Sequence, residues 1–163
     1  MDKIFKNGIR FECQGTGRCC VSRGEYGHVY VSLEDRRRMA RHFGVTTLQF
    51  TKRYCDKTDD HFHLKAPEKD CMFLADTQCS VYQARPTQCR TWPFWPENMN
   101  AKVWASDVAS FCPGVGKGKL YSPEEIEEIL NMNEGHIAAL VSSFFNSTTP
   151  PPRPLHYNRI SEC

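Results

Sequence analysis

The sequence predicts an α+β fold, helix-rich with short strands and long loops rich in cysteine and proline, closed into a single compact domain around one or more thiolate metal centres. Three observations predict it. Nine cysteines stand at 13, 19, 20, 55, 71, 79, 89, 112 and 163, most of them in groups. Between residues 67 and 96 the chain is dense in proline, cysteine and aromatic residues, a composition that leaves little room for long regular elements. A long amphipathic helical pattern then begins at Ser122. The 163 residues suit one domain, read as a cysteine-cluster metal-binding domain over 1–145 and an extended, proline-rich tail over 146–163.

In chain order, Tyr26–Val31 has the alternation and β-branching of a strand. Ser32 reads as a helix N-cap with acid in the first turn. Leu33, Ala40 and Phe43 share the predicted inward face of that helix, and Gly44 stops it. A second helix runs from Thr47 to Tyr54, with Leu48 and Phe50 or Tyr54 inward, and Cys55 is assigned to it. Phe62–Lys65 predicts a short strand, 67–96 short helical turns and loops, and Lys102–Ala105 another strand. The clearest helix starts with Ser122 as cap, Pro123 in the first position and Glu125 completing a capping box. Its apolar stripe is Ile126, Ile129, Leu130, Ile137, Leu140, Val141 and Phe144. The tail carries Pro150-Pro151-Pro152-Arg153-Pro154 and is predicted extended.

Composition excludes several classes of function. A net charge of +2 gives no electrostatic footprint for nucleic acid. No apolar run approaches the ~20 residues of a membrane helix. The opening residues lack the apolar stretch of a secretory leader, so the expectation is a cytoplasmic protein with no membrane partner. Gly114-Val115-Gly116-Lys117-Gly118-Lys119 lacks the spacing and the Ser/Thr of a phosphate-binding P-loop. No Ser-His-Asp or Cys-His triad and no paired-carboxylate signature stands out, and catalytic residues stay unassigned.

The cysteines admit three readings. A disulfide framework prefers an even count and an oxidising compartment. Buried inert thiols suit a lone residue such as Cys55. Thiolate coordination of zinc or an iron–sulfur group suits the clustered ones. The first group is Cys13-Gln14-Gly15-Thr16-Gly17-Arg18-Cys19-Cys20, whose two glycines let the backbone turn sharply and present amide N–H groups to one centre. The second group holds Cys71, Cys79 and Cys89, and the third is Cys112-Pro113. No tight C-x2-C pair is present, so spacing does not choose the metal. Four thiolates on a divalent ion carry a formal charge of −2, which Arg18, Arg85 and Arg90 stand ready in sequence to offset. Tyr82, Trp92, Phe94 and Trp95 are candidates for a dry wall. His61 and His63 are secondary candidate ligands, and Asp107 a hard one.

These motifs carry a resemblance. Gly17-Arg18-Cys19-Cys20, Cys71-Met72-Phe73-Leu74, Cys79-Ser80-Val81-Tyr82, Arg85-Pro86-Thr87-Gln88-Cys89-Arg90, Pro93-Phe94 and the stretch from Cys112 to Gly118 resemble the CxxCxxCC, or YkgJ-like, family of zinc- or iron-chelating cysteine-cluster proteins. The resemblance covers roughly residues 11–130. It implies seven metal ligands, Cys13, Cys19, Cys20, Cys71, Cys79, Cys89 and Cys112, with Arg85 and Arg90 supporting them. The family's cysteine three residues after the first is Thr16 here, so two four-thiolate sites would lack one sulfur. Cys55 and Cys163 lie outside the motifs. The family's flagellin lysine N-methylase-like members imply an iron–sulfur cluster, [4Fe–4S] first, with zinc as the alternative. On the same kinship, an iron–sulfur enzyme of methyl or electron transfer is one alternative function, and a metal chaperone or chelator another.

Overall fold

The computed structural model describes residues 5–21, 28–58, 60–65 and 70–141. Reciprocal capping starts the first two helices. Ser32 accepts the Asp35 N–H while the Asp35 carboxylate accepts the Ser32 N–H, opening α1 (Leu33–His42). Thr46 and Gln49 do the same for α2 (Thr47–Tyr54). Met39, Ala40 and Phe50 are buried. Leu33 and Leu48, expected inward, are exposed, at 47% and 64%. In α1 the inward stripe passes through Asp35 and Met39, because donors from other elements draw the Asp35 carboxylate into the interior. In α2 the stripe passes through Phe50 and half-buried Tyr54, one turn apart.

Cys55 does not extend α2 but caps it and opens β2 (Cys55–Thr58), which pairs antiparallel with β3 (His61–Leu64). Residues 28–31 run along the other edge of β3. Val31 N–H donates to Phe62 O and Leu64 N–H to Val29 O, each at 2.9 Å. Only Tyr30 forms a bridge there, with His63, so the described part of the expected strand Tyr26–Val31 is a single rung. Tyr26 and Gly27 lie outside the described residues. β4 (Leu74–Ala75) and β5 (Gln78–Cys79) form a minimal hairpin, which the sequence did not announce. A 3-10 turn at Tyr82–Ala84 leads into α3 (Thr87–Thr91).

The strand expected at Lys102–Ala105 is a helix. The Asn100 side chain accepts the N–H groups of Lys102 and Val103 and starts α4 (Ala101–Val103), which continues as a wider π turn over Trp104–Ala109. Trp104 and Val108, one turn apart, are both buried. β6 (Lys119–Tyr121) then pairs antiparallel with β1 (Ile9–Phe11) and ties the start of the described chain to the segment that leads into the last helix. α5 (Pro123–Val141) carries the predicted box, with Ser122 N–H on Glu125 Oε2 at 2.9 Å. Its stripe differs from expectation. Ile126 and Leu140 are buried, Ile137 is 39% exposed, and Asn133 and His136 occupy the inward face between them. Phe144 and the tail 146–163 lie outside the described residues.

The apolar interior has two parts. One gathers Val31, Met39, Ala40, Phe50, Leu64, Phe73 and Val81 from the helix pair and the hairpins. The other gathers Phe5, Phe11, Phe94, Trp104, Val108 and Ile126. A polar knot ties α1, α3 and α5 together. Asp35 accepts from Thr87 N–H at 2.9 Å, from Thr87 Oγ1 at 2.8 Å and from Arg38, and lies 3.2 Å from His136 Nδ1. Trp95 Nε1 donates to Thr91 Oγ1 at 3.0 Å, and Thr91 Oγ1 meets Asn133 at 3.4 Å. Buried polar atoms need such partners, and here their partners come from three helices.

Candidate metal centre

The first cysteine loop is shaped by Gly17, which adopts φ +67° and caps a 3-10 turn over Arg18–Cys20. Its carbonyl accepts the Cys20 N–H at 2.8 Å. A Cβ at this position would stand 3.0 Å from Leu74 Cδ1 and 3.2 Å from Thr77 O, so the loop lies directly on the β4–β5 hairpin. The turn leaves the Cys19 and Cys20 sulfurs 3.9 Å apart. Next to it, Cys71 N–H donates to Cys20 O at 2.6 Å and Val21 bridges Asp70. Two segments fifty residues apart are thereby stitched together beside their cysteines.

The second group repeats one device. The Phe73 N–H donates to the Cys71 sulfur, and the Val81 N–H to the Cys79 sulfur. Peptide N–H groups aimed at sulfur stabilise the thiolate. Register across the hairpin sets Cys79 opposite Leu74, while α3 brings up Cys89. The N-terminus of α3 is held by Asp35 through Thr87, two residues before Cys89.

Six thiols, those of Cys13, Cys19, Cys20, Cys71, Cys79 and Cys89, line one cavity of about 590 Å³. Its other walls are Leu64, Phe73 and Val81 of the first interior and, on the other side, Trp92, which packs against the second, with Trp95 and Phe111. Tyr82, Trp92 and Trp95, expected as a dry wall, line this cavity, and Tyr82 is 42% exposed. Phe94 instead lies in the second core, stacked on Trp104, and Phe111, which no motif announced, takes a place on the wall. Among the described residues no three Cys, His, Asp or Glu side chains converge on one point at coordination range. The thiols are gathered, and their sulfurs are spread round the walls.

The thiols share an electrostatic environment. Cys20 is pushed far up by its hydrogen bond with Cys19, by burial, and by the neighbouring Cys19, Cys71 and Cys79. Burial raises Cys71 and Cys79, with their peptide N–H donors opposing it. Cys89 is raised chiefly by burial, then by Cys19, Cys71 and Cys79. Arg85 pulls Cys79 and Cys89 the other way. Thiols that discourage one another's ionisation in this manner are relieved by a cation. Among the described residues no cysteine is joined in a disulfide, and Cys163 lies outside them.

The remaining candidates are placed elsewhere. Cys112 lines a smaller neighbouring cavity, which also touches Cys13, Cys19 and Cys89, together with Arg18, Arg85, Arg90 and Thr16. Cys55 is buried in the first core, its thiol raised to about 11 by burial. His61 and His63 are buried on β3 away from both cavities; His63 engages Thr58 Oγ1 at 3.0 Å and Leu64 O at 2.8 Å. Asp107 takes the Ser106 hydroxyl, and Lys119 pairs with Glu125 at 2.6 Å.

A family model described as "Putative zinc- or iron-chelating domain" (CxxCxxCC) matches residues 12–113, a span containing all six cavity thiols and Cys112. The chain belongs to the CxxCxxCC family. Membership supports metal binding, by zinc or iron, as a property of this chain. A protein of Methanocaldococcus jannaschii, MJ0661, is 26% identical over 125 residues, covering 72% of this chain and 65% of that protein. No solved structure matches. The donor set of this CxxCxxCC protein suits such a metal. Soft thiols select zinc and iron–sulfur groups over hard cations. Two thiolates on one tetrahedral ion with ~2.3 Å bonds stand about 3.8 Å apart, and Cys19 and Cys20 are at 3.9 Å. No helix among the described residues is long and apolar enough to cross a membrane.

Proposed function

We propose that this CxxCxxCC protein holds an iron–sulfur cluster, [4Fe–4S] first, on thiolates drawn from Cys13, Cys19, Cys20, Cys71, Cys79 and Cys89. The observation that carries this reading is the gathering of six thiols round a cavity of about 590 Å³. A lone tetrahedral ion uses four ligands, so six thiols offer more donors than a single structural zinc takes. When bound, the cluster supplies a one-electron redox centre. The chain's own residues set its surroundings. The Phe73 and Val81 N–H groups donate to Cys71 and Cys79 sulfur, Arg85 offsets negative charge, and Trp92, Trp95 and Phe111 limit water.

One observation favours a second reading. The 3.9 Å between Cys19 and Cys20 suits two ligands of a single zinc or iron ion, whereas thiolates on different irons of one cluster point apart. Protein purified without air separates the two. Brown protein with iron, sulfide and absorption near ~400 nm supports the cluster, and colourless protein with stoichiometric zinc overturns it. Cys→Ser changes at the six positions and at Cys112 identify the ligands. Those that hold metal lower its content, and a Cys112 variant with full content removes Cys112 from the set.

A further inference from the structure

We propose that the smaller cavity beside the thiols, about 250 Å³ in volume, binds a small oxyanion, a carboxylate or a phosphate, between the guanidinium groups of Arg18, Arg85 and Arg90. Three arginines from two chain segments line this one space. Among the described residues no carboxylate forms an ion pair with any of them. Arg18 gives one N–H to Phe111 O at 3.0 Å. Arg85 gives its Nε–H to Tyr82 O at 2.8 Å and lies 3.5 Å over the Tyr82 ring. Both keep further donors on their forks, and Arg90 adds a third fork. The planar guanidinium matches two oxygens of a carboxylate or phosphate at once.

The smaller cavity shares Cys13, Cys19 and Cys89 with the larger one, and Arg85 lines both. The Arg85 charge favours the Cys79 and Cys89 thiolates. Arg18 and Arg90 line the smaller cavity and not the larger one. Lys119 adds another positive group, already paired with Glu125. With Lys119 balanced by Glu125, the walls carry one carboxylate, Glu12, and three guanidinium groups. The imbalance is met by an anion from solution, held within one wall of the thiols.

The proposal goes beyond the metal reading and does not depend on which metal is bound. The full chain as purified is titrated calorimetrically with sodium phosphate, and separately with sodium acetate, at constant ionic strength set by chloride. Saturable uptake of at least one of the two is expected, and the stronger identifies the tetrahedral or the planar oxyanion. The double variant R18Q/R90Q should bind at least about tenfold more weakly, with R18K/R90K in between. Both side chains are exposed, and far-UV circular dichroism should match the parent. Linear uptake of both anions, or equal affinity in R18Q/R90Q, overturns the proposal. So does loss of metal from R18Q/R90Q without a change in anion affinity, which would leave these arginines as partners of the thiolates alone.

Discussion

At the scale of single residues, two side positions govern the cysteine geometry without supplying sulfur. Gly17 adopts a left-handed backbone and rests on the hairpin that carries Cys79. Gly17→Ala should cost about 1–2 kcal/mol of stability in urea melts and lower the metal content of purified protein. Asp35 is fully buried and ties three helices. Burial alone would raise its pKa, but Thr87, His136 and Arg38 outweigh burial and hold it below the ordinary 3.8. His136 is held below 6.5 mainly by burial, with Asp35 opposing. Both pKa values are depressed in the folded state, so both groups favour folding above their unfolded values. As pH falls below 6.5 the unfolded chain takes the His136 proton first and stability declines; below 3.8 Asp35 adds a second loss. Asp35→Asn should cost about 2–4 kcal/mol at neutral pH, a gap that narrows in melts at acid pH. The sequence announced neither Asp35 nor His136 as interior residues. Asp35 looks like a first-turn acid on a solvated helix, and only the arrival of Thr87 from fifty-two residues away gives it a buried role.

At the scale of elements, starts were legible and faces were not. Ser32 and Ser122 announce α1 and α5 because capping is a local hydrogen-bond matter within four residues. Leu33, Leu48 and Ile137 point outward because helix orientation follows packing partners that a local window does not contain. Lys102–Ala105 illustrates the limit. Val103 and Trp104 favour strands, yet Asn100, three residues before Val103, supplies the cap that decides for a helix. Asn100→Ala should therefore lose about 1 kcal/mol, read from thermal melts, and loosen α4 in amide hydrogen exchange. The cysteine motifs were legible as clusters, but their sorting into six on one cavity and Cys112 on its neighbour required the fold.

At the scale of the whole molecule, the thiol cavity lies on the seam between two small cores. A metal bound there cross-links Cys13–Cys20 with Cys71–Cys89 and stabilises both cores at once. Chelation of the purified protein should lower its melting temperature and speed proteolysis at the seam. Metal uptake should also release protons, because burial and mutual repulsion keep Cys20, Cys71, Cys79 and Cys89 protonated above the usual thiol range. Affinity should rise with pH, and calorimetry in buffers of different ionisation heat counts the protons.

The six sulfurs of the cavity come from positions 13 to 89, and the helix that carries the last of them is held by α1 and braced by α5, near residue 136. A chain emerging from the ribosome presents the early Cys19–Cys20 pair long before that brace is synthesised. The early pair therefore waits for its companions until residue 89 has been made, and for the brace of the last helix until residue 136.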